Sequence, residues 1–160
     1  MSKPIKELSL GKMKWMLFLL GFFKIPLIGY VRPKLIEVNE DTIKVRIRLR
    51  RRTKNHLNSM YFGALTVGAD IAGGIHVFYF SEKAGKKVSF SFKGMKADFL
   101  KRAESHIIFE SNDGQIIKQA IEESSLSKER VNKNVLVNAL DLKDEIVATF
   151  EMVVSVKVVG

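Results

Sequence analysis

Residues 55–70 read Asn-His-Leu-Asn-Ser-Met-Tyr-Phe-Gly-Ala-Leu-Thr-Val-Gly-Ala-Asp, a polar loop that runs into small and apolar residues and ends on a carboxylate. The apolar stretch continues to Phe80, so Asp70 stands about midway along Met60 to Phe80 among apolar neighbours. A buried carboxylate without partners costs several kcal/mol or takes up a proton, so this acid calls for a chemical reason. About 20 residues of helix span about 30 Å. Gly63, Ala64, Gly68, Ala69, Ala72, Gly73 and Gly74 include four glycines, each costing a helix about 1 kcal/mol relative to alanine. Such residues fit a helix whose backbone a sheet approaches closely, and a helix apolar on all sides is a buried one.

Working outward, Leu10 to Phe23 reads as an N-terminal helix that packs on protein or rests on a membrane surface, with Pro26 and Gly29 marking its end. Lys34 to Val38 and Thr42 to Arg51 form a hairpin around Asn39, Glu40 and Asp41. Its second strand alternates Ile43, Val45, Ile47 and Leu49 inward with Lys44, Arg46, Arg48 and Arg50 outward. Beyond the central segment, strands are expected over Lys87 to Met95, Ala103 to Glu110, Arg130 to Leu142 and Glu145 to Val159. An amphipathic helix over Gly114 to Glu123 interrupts them, with Asn112 and Gln115 as its cap pair. The order predicts an α+β fold, an antiparallel sheet of about six strands wrapped around a long central helix, with an extra N-terminal helix. We expect one domain over residues 1–160, with a helical extension over 1–30 and the central helix over 60–80.

Composition narrows the function. The net charge of +10 lies in the first third, where residues 1–54 hold 14 Lys and Arg against 4 Asp and Glu, while residues 55–160 hold 13 of each. This asymmetry points to an anionic partner. The basic run Arg46, Arg48, Arg50, Arg51, Arg52 and Lys54 is either a solvated strand face or a dock for phosphates, which arginine grips bidentately. Nucleic acid is disfavoured because no aromatics for base stacking interleave these positions. The absence of cysteine excludes disulfides and thiol nucleophiles and fits a reducing compartment, so the cytoplasm is the expected location. Trp15 to Phe23 is apolar over too few residues to span a bilayer, and no small-residue cleavage site follows it. Met60 to Phe80 is long enough, but Asp70 and His76 within it are costly in lipid.

Together, the element order and the residues around the central helix resemble the hotdog-fold acyl-coenzyme A thioesterases, in the branch related to the phenylacetic-acid-degradation thioesterase. That branch runs Asn, five residues, His-Gly-Gly, then an apolar stretch ending Leu-Ala-Asp. Here Asn55 matches the asparagine, Tyr61-Phe62-Gly63 stands in place of His-Gly-Gly, and Gly68-Ala69-Asp70 ends the run with the same spacing. The resemblance implies that Asp70 activates water or attacks the thioester carbonyl. It implies that the Phe62 backbone N–H, at the positive end of the helix dipole, holds the carbonyl oxygen, and that the Asn55 amide donates to substrate or water. In the family these groups converge across a homodimer interface, sometimes within a tetramer. Coenzyme A enters as part of the substrate, with Arg46, Arg48, Arg50, Arg52 and Lys54 meeting its phosphates, and neither a metal nor a separate cofactor is expected.

Two departures bear on activity. Tyr61 replaces a group that titrates near neutrality with a phenol that orients or donates, and Phe62 replaces a glycine that lets substrate approach. A non-catalytic acyl-CoA or lipid binder is therefore the alternative. Structural roles compete at each position: Asp70 as an acid hydrogen-bonded to a neighbouring strand or across a dimer interface, and Asn55, Asn58 and Ser59 as helix caps. His56 reads as a loop hydrogen bonder. His76 and His106 are too scattered for a metal site.

Overall fold

Among the described residues, all strands of one sheet but the first pack around a single helix, α3 (Phe62–Ala84), whose small residues let the sheet come down onto its backbone, while the first strand packs against the N-terminal helix. The computed structural model describes residues 8–160, so the first part of the expected 1–30 extension lies outside the described residues. In front of α3 come α1 (Leu10–Leu19), a π-helical turn over Leu20–Lys24, α2 (Pro26–Val31), and strands β1 (Lys34–Val38) and β2 (Ile43–Ile47). Behind it come β3 (Lys87–Phe99), β4 (Ile107–Ser111), α4 (Gly114–Ser127), β5 (Val131–Leu140) and β6 (Ile146–Val159). The six strands form one antiparallel sheet in the order β1-β2-β4-β5-β6-β3. This is the hotdog arrangement, with β1 and β3 as its two edges.

The close approach is literal. A Cβ at Gly68 would lie 2.3 Å from the ring of Phe109 on β4, and one at Gly74 would lie 2.8 Å from the ring of Phe90 on β3. Both glycines give up helix propensity so that an aromatic ring can rest on the helix axis. The inward face of β6, with Ala148, Phe150, Met152, Val154 and Val156 buried, continues the core beside β3. α3 is long and apolar enough to cross a membrane by length and composition, but about two thirds of it is buried in the protein. It runs four residues past Phe80, where Gly85 in the left-handed region (φ 62°) lets Lys86 N–H return to the Ser81 carbonyl.

Several boundaries differ from expectation for local reasons. The first helical run ends at Lys24, just before Ile25 and Pro26 as expected, and Pro26 also opens α2 as its first residue, where its missing N–H is harmless. Gly29 lies inside α2, and the two helices cross backbone to backbone there: a Cβ on Gly21 would meet the Gly29 nitrogen at 2.8 Å. β2 ends at Ile47, not Arg51, because the Thr53 hydroxyl accepts from Arg50 N–H at 2.9 Å and donates to the Arg48 carbonyl at 2.7 Å. The arginine run therefore leaves the sheet and curls into a turn. The expected cap pair on α4 does not form. Asn112 accepts from the Thr42 hydroxyl and Gln115 donates to Asp41, so both side chains hold the β1–β2 turn to α4 instead.

Candidate active site

α3 is not wrapped evenly. Between Gly63 and Phe80 only Gly63, Thr66, Val67, Asp70 and Phe78 stay half-buried, and their spacing places them on one side of the helix. Asp70 sits within this strip with neither a hydrogen bond nor an ion pair among the described residues. Burial raises its pKa above the ordinary carboxylate value, with no cation to offset the lost hydration. Within the chain, the structural role of an acid tied to a neighbouring strand is not what is built.

At the head of α3, Tyr61 is the N-cap position and supplies no side-chain cap. The Phe62 N–H, first in the helix, has no acceptor among the described residues, as expected of the orphan donors there. The Tyr61 ring lies over Gly63, where a Cβ would come within 2.4 Å of it, so any larger residue there would displace the ring. Phe62 is exposed and meets Phe99, the last residue of β3, edge-on at 6.1 Å between ring centroids. An apolar rim thus surrounds the open end of the helix.

Asn55 turns back on its own loop. Its carbonyl oxygen accepts from Leu57 N–H (2.9 Å) and Ser59 N–H (3.2 Å), and its amide donates to the Ser59 hydroxyl (3.0 Å). Asn55, Asn58 and Ser59 therefore shape the approach to α3 and do not cap it. Asn58 adopts positive φ (60°) in that turn. His56 is exposed. Phe62 and Asp70 are eight residues apart, or about 12 Å along the helix axis. A single chain thus does not bring them to one carbonyl group.

The basic residues do come together. Arg46, Arg48, Arg50 and Arg52 line a depression of about 550 Å³ together with Arg51, Arg32 and Lys34. Lys54 is not part of this lining; it pairs with Met60 in a short bridge beside the loop. The sequence reading missed Arg32 and Lys34, although the hairpin carried the signal, since Lys34 lies opposite Arg46 in the β1–β2 register. The Arg46 Nε is buried and unpaired. Beside this cluster, His106 Nδ1 accepts from Leu49 N–H at 2.9 Å. Burial lowers its pKa, as do the nearby Arg50, Arg48 and Arg46 charges. Aromatics are absent between these arginines in sequence, but the fold brings one in from α2: the Arg52 guanidinium stacks on Tyr30 at 5.0 Å.

His76 is a core residue. It is buried against Phe80, its Nε2 lies 3.0 Å from the Asn39 carbonyl, and burial lowers its pKa. Among the described residues, no three His, Asp or Glu side chains cluster in a way that would hold a metal.

Known structures share this arrangement. A Pseudomonas aeruginosa protein described as of unknown function and as a probable thioesterase aligns at TM-score 0.76 and 19% identity, over 95% of this chain and 97% of its own. A protein of unknown function from Chlorobaculum tepidum aligns at TM-score 0.81 and 9% identity, over 94% and 97%. A thioesterase from Haemophilus influenzae aligns at TM-score 0.66 and 11% identity, over 95% and 92%. At these identities the likeness establishes the hotdog fold. No curated protein matches the chain significantly. Residues 14–156, nearly the whole chain, match the family described as a domain of unknown function, DUF4442, and the protein belongs to that family.

Proposed function

We propose that this protein hydrolyses an acyl-CoA or related thioester, in the cytoplasm, at a site completed by a second copy of itself. The observation that carries this reading is Asp70: a half-buried carboxylate with raised pKa and no partner, on the open side of an otherwise enclosed helix. The Asp70 oxygens are not shut away from solvent, so water or a substrate can reach them. The thioesterase descriptions of the similar structures agree with it.

In the proposed step, Asp70 takes a proton from water as the water oxygen attacks the thioester carbonyl carbon. The Phe62 N–H of a second copy stabilises the oxyanion, and the C–S bond then breaks as the protonated Asp70 returns its proton to the leaving sulfur, releasing the thiol and the acid. The two-copy site follows from the separation of Phe62 and Asp70 along one helix. β3 supports it as well: it is an edge strand of 13 residues with one side unpaired, and such an edge accepts another strand. The Arg46, Arg48, Arg50 and Arg52 depression takes the coenzyme A phosphates. Arg32, Lys34 and Arg51 add to it, and Lys54 remains outside.

A second reading has its own observation. The Asn55 amide is spent on Ser59 and Leu57, and the Phe62 side chain stands over the helix entrance, so a chain that binds acyl-CoA without turning it over would look the same. A panel of acyl-CoA substrates assayed for free thiol separates the two. Turnover that Asp70→Asn removes supports hydrolysis, whereas saturable binding without thiol release establishes the binder.

A further inference from the structure

The N-terminal layer presents an aromatic surface that the hydrolase reading does not use, bordering the phosphate depression at Arg32 and Lys34. α1 is buried on one side through Met13 and Leu17, and Lys12 pairs with Glu82 to hold it against the end of α3. Its other side, continued through the π-turn and α2, exposes Trp15, Phe18, Phe22, Phe23, Leu27 and Tyr30. Trp15, Phe22 and Phe23 are 59%, 65% and 69% exposed, values far from the core position an all-apolar helix normally takes. Large contiguous apolar surfaces of this kind mark contact sites.

The charges around this face select the partner. Residues 8–36 contain no Asp or Glu, and Lys14, Lys24, Arg32 and Lys34 are all exposed. Lys14, Arg32, Lys34 and Arg52 line, with Phe18, Phe22 and Tyr30, a depression of about 780 Å³. That depression shares Arg32, Lys34 and Arg52 with the arginine-rich one, so apolar and cationic surface are continuous. Self-association through this face would set four cations against four, a like-charge arrangement with no acid to relieve it. The aromatics are also poorly disposed for nucleobases. Trp15 stacks on Phe18 (5.5 Å, 22°) and Phe18 on Phe22 (5.9 Å, 20°), so their faces already cover one another. Aromatic and aliphatic side chains bounded by lysine and arginine suit the interface of an anionic bilayer, where rings sit at headgroup depth and cations meet lipid phosphates.

We infer that the α1–α2 layer docks this protein on anionic membrane surfaces, with Trp15, Phe18, Phe22 and Phe23 entering the interface and Lys14 and Lys24 meeting the headgroups. The inference does not rest on hydrolysis: an Asp70→Asn protein docks as well as the unaltered one.

Flotation with vesicles of phosphatidylcholine alone, or mixed with phosphatidylglycerol, tests it. Trp15, the chain's single tryptophan, serves as the fluorescent reporter. The protein is expected to float with the mixed vesicles and not with the neutral ones, with a blue shift of Trp15 emission and weakening by salt. Phe22→Ser with Phe23→Ser should lower partitioning about a hundredfold. Lys14→Glu with Lys24→Glu should lower it about tenfold or more, while leaving the aromatic face intact. No flotation, or flotation indifferent to both variants, overturns the inference. So does an elution volume showing that Phe22→Ser with Phe23→Ser breaks an oligomer that does not float. A salt-sensitive shift of RNA or DNA by protein that does not float assigns the face to nucleic acid instead.

Discussion

α1 and α3 are both apolar around most of their circumference, yet the fold treats them in opposite ways. α3 is made of small residues, so rings from β3 and β4 rest on its backbone and the sheet closes around it, leaving one narrow strip open at Asp70. α1 is made of large ones. Only Met13 and Leu17 are buried, and the aromatic remainder faces outward. The difference teaches that hydropathy alone does not place a helix: side-chain size decides whether a sheet can close over it, and what is left uncovered marks where ligands meet the protein.

The largest test of this contrast lies on the strip. Asp70→Asn keeps the shape of the side chain and removes the base, and turnover of a cleavable thioester should fall about a thousandfold with KM little changed. Next comes the wrapped side. Gly68→Val would drive two methyl groups into the Phe109 ring, and chemical denaturation should show a loss of about 3 kcal/mol or more. Activity in such a variant would fail through unfolding, which circular dichroism distinguishes from the Asp70 effect.

A third test reads the open strip through pH. Folding raises the Asp70 pKa, so the folded chain favours the protonated acid. The stability this contributes is present below the unfolded pKa and is lost as pH rises through the folded one. At neutral pH the ionised carboxylate therefore strains the fold, and Asp70→Asn should raise Tm there, with the gain fading as pH falls into the acid range. A variant at once less active and more stable is the signature of a functional acid. The same raised pKa places the acid limb of kcat/KM above the ordinary carboxylate range. The smallest effect belongs to the outer face of α1. Phe22→Ser with Phe23→Ser should change stability by only about 0.5 kcal/mol in denaturant titration. A larger loss would mean that this face is core after all.

Much of this was legible from residue patterns. The alternation of Ile43, Val45 and Ile47 placed β2, the apolar face of residues 146–158 placed β6, and glycine and alanine between 63 and 74 placed the wrapped helix. What stayed hidden depends on side chains choosing between near and distant partners of similar strength. Thr53 folded the arginine run out of the sheet, Asn112 and Gln115 joined the hairpin instead of capping α4, and Asn55 closed on its own loop. Asp70 stood out as an unpaired acid, but eight residues of helix separate it from the Phe62 N–H, and a reader of one chain sees no oxyanion donor beside it. Lys34 joined the cationic depression through strand register and Arg32 through the left-handed turn that ends α2, and composition encodes neither.

The backbone crossing of Gly21 over Gly29 has a mechanical consequence. With no side chain between them, the π-turn that continues α1 is clasped against α2 at a fixed angle, so the aromatic face exists as a rigid plate before it touches anything. Segments that fold only on contact lose much of their adhesion to the ordering of the chain. A preset plate avoids that loss, lands in one orientation, and leaves the far-ultraviolet spectrum of the protein unchanged on arrival.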